Sequence, residues 1–477
     1  MIYLNEILSY INLFVILLIY YKIYMIMVNQ YYSYNRMLKI VINKYKYGII
    51  FSIICQLISI FIGDKWYVTL LNLSVNLILL TLLIKIKNKI TRRIIFQMIV
   101  SLIYFYLVFR INILMYSSTL FILAILLLSW ITLLPIEGFI KKYYISKAKK
   151  KIKKINPVII GITGSFGKTS MRNFLVQGLK LKYRVETPKN NVNTLMGVCK
   201  YINNDLNNCD ILVLELASDH LGQIVKFDKI FKLDYAFITS IGNMHLSTFK
   251  NISNIIKEKT SIRKLLKNNG LLYLNYDDNY LKKINLENII YFSKNDLEIK
   301  DFNIDGIKIK YQQLTSIFNV HQSFFASYLS GVIKCLEKLN ISYQEIFLNS
   351  QVFNDYERRN QVFKLEDGYL IDNSYNANLS GIEDSLKLIS NLKDVYIITG
   401  GIIEQGNNFQ SENKKLRDLL KNQNVIFVGE KNHPLVINHQ FRSLKIVNSV
   451  NQAYHVASIY KAKNLLVLAK SDNIFLR

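Results

Sequence analysis

The chain has 477 residues, 51% of them hydrophobic, with 60 Lys and Arg against 33 Asp and Glu, a formal net charge of +27. That length predicts two or three domains. Cys55, Cys199, Cys209 and Cys335 are scattered without CxxC spacing, which excludes a disulfide framework and a zinc site and suits a reducing cytoplasm.

Residues 1–135 hold long apolar runs, such as Ile11–Tyr21, Ile49–Ile62, Val68–Ile84 and Phe121–Ile136. They predict membrane spans near 5–28, 47–63, 66–84, 94–109 and 112–135, the second and fourth being short. Up to Pro157 there are 20 Lys and Arg against three acids, Glu6, Asp64 and Glu137. The basic clusters Arg36–Lys46, Lys85–Arg93 and Lys141–Lys154 predict cytoplasmic segments, with the N-terminus outside. The run Lys147–Lys154 follows the last expected span, so membrane lipid headgroups fit it better than nucleic acid. No basic n-region or small-residue site marks a cleaved signal peptide.

From about Asn156 short apolar strands alternate with amphipathic helices. Pro157–Ile160 reads as a buried strand, followed by Gly161-Ile162-Thr163-Gly164-Ser165-Phe166-Gly167-Lys168-Thr169 and a helix beginning at Ser170. Strand, glycine-rich loop, Lys-Thr and helix together make a phosphate-binding loop, whose backbone N–H groups wrap phosphates while Lys168 meets the β/γ oxygens and Thr169 holds Mg²⁺. The strict Walker pattern requires a small residue where Ile162 stands; here the glycine comes one residue earlier. Ile211–Leu216, Tyr235–Ile241 and Gly270–Asn275 predict further strands, and Ile252–Leu266 and Ser323–Leu339 predict helices. Beyond Val352, strands at Gly368–Asp372, Val395–Gly401, Val425–Gly429 and Leu465–Ala469 have Rossmann-like spacing. None is preceded by GxGxxG, so no dinucleotide cofactor is expected. The expected architecture is an N-terminal α-helical transmembrane bundle (1–136), a basic cytoplasmic linker (137–155), and two α/β domains: a P-loop central domain (156–350) and a Rossmann-like C-terminal domain (351–477). It predicts a multi-pass protein of the cell membrane with its catalytic domains in the cytoplasm.

Three side chains qualify as partners of the loop. Glu215 ends a strand, where a carboxylate suits Mg²⁺ or simply caps the strand. His245 follows another strand and is either functional or structural. Lys259 lies on the next helix, where a solvated lysine is the plainer reading.

Taken in order, these motifs resemble the Mur ligases along residues 156–470, most of all the branch that adds D-Ala-D-Ala to UDP-N-acetylmuramoyl-tripeptide. Thr187-Pro188-Lys189-Asn190-Asn191-Val192-Asn193-Thr194, Leu214-Glu215-Leu216-Ala217-Ser218, Asn319-Val320-His321-Gln322, Arg358-Arg359, Ile371-Asp372-Asn373-Ser374-Tyr375-Asn376-Ala377-Asn378 and Thr399-Gly400-Gly401 onward all carry the likeness. The resemblance implies an ATP- and Mg²⁺-dependent enzyme that joins a carboxylate-bearing cell-wall precursor to an amine or dipeptide through an acyl phosphate. It implies that Gly164, Ser165, Gly167, Lys168, Thr169 and Ser170 hold the phosphates. Thr169, Glu215, His245 and a carbamylated Lys259 hold magnesium, with Lys257 as the fallback for Lys259. Gln322, Arg359 and Asp372 bind the nucleotide. Catalysis falls to Lys168, Glu215, His245 and Lys259. Three departures stand out: membrane or basic sequence replaces the family's UDP-binding opening domain, Ala469–Asn473 replaces its usual C-terminal motif, and Gly401 and Gln405 alter a third. Two other readings remain: a ligase acting on a different or lipid-linked acceptor, and a non-catalytic ATP-binding membrane protein.

Overall fold

The computed structural model describes residues 119–468, apart from 190–191, 245, 286, 356–357, 359, 375–378 and 403–408, together with scattered positions within 7–25, 70–78 and 95–104, all of them helical. The chain forms two compact units, residues 1–143 and 144–477.

Among the described residues, no helix is long and apolar enough to cross a membrane. This corrects the expected transmembrane bundle and, with it, the expected multi-pass membrane localisation. Helix α1 (Thr119–Ile155) contains Pro135 and runs unbroken into the lysine-rich stretch. Its last turns are amphipathic. Ala148 and Ile152 are buried in a core shared with residues of the sheet that follows, while Lys147, Lys149, Lys150, Lys153 and Lys154 stay exposed. Within the expected basic linker, then, Ala148 and Ile152 pack against protein.

The second unit is built on two six-stranded sheets. The first comprises β1 (Val158–Thr163), β2 (Val185–Glu186), β3 (Ile211–Glu215), β4 (Leu233–Ile238), β5 (Leu266–Asn275) and β6 (Ile289–Phe292), in the order β2-β3-β1-β4-β5-β6. All its pairings are parallel. Parallel strands buried on both faces need apolar residues at every position, and β3 is buried throughout. Alternate residues divide between two cores. Ile160, Ile162, Val213 and Phe237 pack with Phe174 and Leu175 of α2 (Lys168–Leu179). Ile159, Leu212, Leu214 and Ala236 pack with Val198 and Ile202 of α3 (Leu195–Asn204) and Ile255 of α4 (Ile252–Thr260). The period of two follows from the pleat. β1 is central, so the loop after it lies between the ends of β3 and β4.

Strands β7 (Glu298–Asn303), β8 (Gly306–Tyr311) and β9 (Leu314–Phe318) form a small antiparallel sheet. Helix α5 (Phe325–Lys338) then packs back on α2, with Phe325 edge-on to Phe174 at 5.1 Å between ring centres.

The second large sheet comprises β10 (Gln361–Lys364), β11 (Tyr369–Asp372), β12 (Val395–Thr399), β13 (Asn424–Val428), β14 (Ser443–Val447) and β15 (Asn464–Val467), in the order β10-β11-β15-β12-β13-β14. Only β10 is antiparallel to its neighbour. Helices α6 (Leu379–Ile389), α7 (Phe409–Leu419) and α8 (Val450–Ile459) connect its strands. Buried polar contacts join it to the first: His321 Nδ1 lies 2.5 Å from Asp355 Oδ2, Asn360 Nδ2 donates to the His321 carbonyl at 2.8 Å, and Ser323 donates to Asp384 of α6.

Candidate active site

The loop after β1 closes through glycine. Gly164 (φ 148°) and Gly167 (φ 77°) adopt backbone conformations that side chains disfavour. A Cβ on Gly164 would lie 2.1 Å from Thr239 Oγ1, and one on Gly167 would lie 1.9 Å from the Tyr328 hydroxyl. The loop is clamped to the end of β4. Ser165 N donates to the Ser240 carbonyl at 2.8 Å, Phe166 N to Ser240 Oγ at 3.0 Å, and Gly242 N to Ser165 Oγ at 2.9 Å. Lys168, first residue of α2, folds its ammonium over the loop, donating to the carbonyls of Gly164 at 2.7 Å and Ser165 at 3.1 Å. Thr169 is half-buried beside it, and Ser170 is buried. A loop whose backbone approaches this closely, at a helix N-terminus and under an ammonium, has the features an oligophosphate requires.

Glu215 ends β3, buried to 3% exposure, and pairs with Arg172 Nη1 of α2 at 3.1 Å. The same nitrogen donates to the Pro188 carbonyl at 3.3 Å. Arg172 therefore links the phosphate-loop helix, the strand-end carboxylate and the Thr187–Thr194 segment. Sequence reasoning did not single it out, because one basic residue in a helix has no pattern. Its position one turn after Lys168 was the available signal.

Lys259, near the end of α4, is 4% exposed, whereas Lys257 and Lys264 are exposed. Its ammonium donates to Ser218 Oγ at 2.9 Å and the Ser218 carbonyl at 3.3 Å, just beyond Glu215. Burial, reinforced by the Lys168 ammonium, lowers its pKa to about 7, against the pull of Glu258 and Asp219. The influence of Lys168 places the two lysines in one electrostatic field. Among the described residues no group of three or more His, Cys, Asp or Glu side chains forms a metal cage. A cation here would rely on Glu215, the Thr169 hydroxyl and ligand oxygens. That donor set suits Mg²⁺, which keeps most of its shell for water and phosphate.

Residues 162–333 match the family model of the Mur ligase middle domain. This stretch is similar to a Mur ligase middle domain. A ligase of Buchnera aphidicola (from Acyrthosiphon pisum) named UDP-N-acetylmuramoyl-tripeptide–D-alanyl-D-alanine ligase is 25% identical over 279 residues, covering 54% of this chain and 60% of that protein. The protein of the same name from Borreliella burgdorferi is 26% identical, over 52% of this chain and 56% of its own length. The chain thus spans about 60% or less of these two relatives. Among solved structures, MurF from Thermotoga maritima in complex with ADP has a TM-score of 0.58 at 21% identity, covering 69% of this chain and 80% of that one. MurF from Acinetobacter baumannii has 0.59 at 17%, covering 68% and 76%. At these identities the likeness is one of fold.

The middle domain contains the phosphate loop, Glu215, Lys259 and Gln322, which is buried between β9 and α5. His245 lies outside the described residues, as do Arg359, residues 375–378 of the Asp372 motif and 403–408 of the Thr399 motif. Asp372 ends β11, buried to 5% exposure, and accepts from Ser374 N at 3.0 Å. Polar contacts run from its sheet back towards Gln322: Asn373 Nδ2 donates to Ser385 Oγ, Ser385 Oγ to Asn360 Oδ1, and Asn360 Nδ2 to the His321 carbonyl.

Proposed function

We propose that this protein is an ATP- and Mg²⁺-dependent, ADP-forming ligase of peptidoglycan precursor synthesis, which joins D-Ala-D-Ala to a muramoyl-tripeptide carboxylate. The relatives named for that reaction support the substrate pair. The observation that carries the reaction type is Lys259: a buried lysine with a pKa of about 7 beside a phosphate loop. An uncharged amine is the form that adds carbon dioxide to become a carbamate, so a cation becomes a ligand for magnesium. A plain P-loop hydrolase has no use for such a residue.

In this reading Gly164, Ser165, Gly167, Lys168, Thr169 and Ser170 hold the ATP phosphates. Thr169, Glu215, His245 and carbamylated Lys259 hold magnesium. Gln322, Arg359 and Asp372 bind the nucleoside. Bound magnesium would neutralise charge on the transferring phosphoryl group and on the substrate carboxylate. Lys168 exchanges its two loop carbonyls for phosphate oxygens and stabilises the charge that develops on them. Arg172 holds the Glu215 carboxylate in place. Asp372 comes from the other sheet, so both sheets are needed to enclose an acyl phosphate from water.

The purified chain, given ATP, UDP-N-acetylmuramoyl-tripeptide and D-Ala-D-Ala, should release ADP only when the tripeptide is present. Amide should form in equal amount once the dipeptide is added. ADP release that ignores the carboxylate, or none at all, would sink the ligase reading.

A further inference from the structure

The segment after Glu215 holds a side-chain pair that the roles above do not use. His220 Nδ1 lies 2.7 Å from Asp219 Oδ1, and both side chains remain partly exposed. Their loop is built rather than loose. Gln223 Oε1 accepts from Asp219 N at 2.7 Å, and the Thr248 hydroxyl donates to the Asp219 carbonyl. Glu258 accepts from the N–H groups of Gly222, Gln223 and Ile224 at 2.6, 2.9 and 2.8 Å. Lys259, next to Glu258, holds Ser218. The same two residues of α4 therefore fix the loop from both ends and set His220 at the carboxyl edge of the sheet, five residues after Glu215. With Nδ1–H directed to Asp219, a neutral imidazole keeps its lone pair on Nε2.

The reaction needs such a group. An α-amine has a pKa of about 8 and is largely ammonium at neutral pH, and an ammonium cannot attack a carbonyl. Lys168, Arg172 and Glu215 are committed to charge stabilisation. We propose that His220, oriented by Asp219, is the base that takes a proton from the amine substrate. Its Nε2 accepts one ammonium proton. The freed nitrogen pair attacks the acyl carbon, the C–N bond forms and the bond from carbon to the phosphate oxygen breaks. The second proton leaves the nitrogen for the departing phosphate, giving amide, hydrogen phosphate and an imidazolium that returns its proton to water. Among the described residues, the charged groups that face this loop include Asp219, Glu258 and Lys259, and the Lys168 ammonium acts on Lys259.

The assignment rests on the ligase reading, and the experiment separates the two. The full chain is given ATP and the tripeptide, with either D-Ala-D-Ala or hydroxylamine as nucleophile. Hydroxylamine is already neutral at the assay pH and needs no base. In His220→Gln the ratio of amide to hydroxamate should fall about tenfold near pH 7, where about one amine in ten is neutral unaided. The deficit should close as pH rises past about 8, where the amine loses its proton unaided. Asp219→Asn should lower the ratio less, by about threefold. An unchanged ratio in His220→Gln, whether both products persist or both fall together, would overturn the base role while leaving the ligase reading intact. Failure of the unsubstituted chain to form hydroxamate would overturn the ligase reading, and the base role with it.

Discussion

At the end of β1 the chain turns through Gly167 (φ 77°) and closes the loop with a lysine; at the end of β12 it turns through Gly401 (φ 78°) and closes with an amide. In the first loop, Lys168 donates to two loop carbonyls and offers no acceptor. In the second, Asn413 of α7 accepts from Ile402 N at 2.9 Å and donates to the carbonyls of Ile402 and Phe409, each at 2.9 Å. Thr399 Oγ1 also accepts from Gly401 N at 3.1 Å. The two sheets share a strand–turn–helix device, but one clasp is a cation whose carbonyl partners phosphate oxygens can replace. The other is a neutral clasp satisfied by the chain itself. On the proposed function, the side chain that closes the loop, and not the sheet, decides which of the two takes phosphate.

The sharpest way to press the comparison is to break the buried Arg172–Glu215 ion pair of the first sheet. Arg172→Met leaves Glu215 buried without its ion-pair partner and should cost about 3–5 kcal/mol of stability in denaturant unfolding. The double variant Arg172→Met, Glu215→Gln should recover much of that loss, since no uncompensated charge remains. If the single variant unfolds like the unsubstituted chain, the first sheet's edge does not depend on buried charge.

These two loops also show what a sequence discloses. Gly161–Thr169 is legible because close backbone approach demands glycine at fixed offsets and the Lys-Thr pair follows. Glu215 is legible because an acid at the end of an apolar run is conspicuous. Lys257 and Lys259 are two residues apart, and only the packing of α4 on the sheet decides which is buried. The antiparallel strands β7–β9 were missed, since alternation with charged residues makes them look like loop; the Asp305-Gly306 turn between β7 and β8 was the available signal. The N-terminal apolar runs suggested spans because hydropathy records how apolar a stretch is, not whether it forms one long uninterrupted helix. Among the described residues no helix meets the requirement.

Next in size is Lys168→Ala. It removes the exchangeable cation and should lower ATP-dependent turnover about a hundred- to a thousandfold, with unfolding little changed. Near-normal turnover would mean that the lysine clasp is as structural as the amide one. Lys259 sharpens the same contrast through pH. Its pKa of about 7 in the fold compares with about 10.4 for an unfolded lysine. Between those values the unfolded chain holds the extra proton, so stability should rise with pH from about 7 to about 10 and be flat below. Lys259→Met should remove that slope, stabilising the protein most at or below about pH 7 and not at all near pH 10. It should also abolish ligation, whereas Lys257→Met should do neither. A slope that survives Lys259→Met would show that another group carries it.

The smallest effect is expected at the amide clasp. Asn413 is fully buried and meets the N–H and carbonyl of Ile402, so Asn413→Ala removes a side chain that satisfies both. A buried N–H or carbonyl left without a partner costs about 1–3 kcal/mol, but water can fill the space the amide leaves and bridge the two groups, and no charge is stranded. Unfolding should therefore shift by less than in Arg172→Met. Turnover should stay within about twofold, because the Asn413 amide is engaged by Ile402 and Phe409. Asn413→Asp makes the test stricter. The carboxylate still accepts from Ile402 N but cannot donate to the two carbonyls, and it introduces a buried negative charge that the lysine clasp would welcome and this one cannot. It should be more destabilising than alanine and still leave the affinity for ATP unchanged. Should either variant instead weaken ATP binding as strongly as Lys168→Ala does, the second loop is part of the nucleotide site, and the distinction between an exchangeable and a self-satisfied clasp is lost.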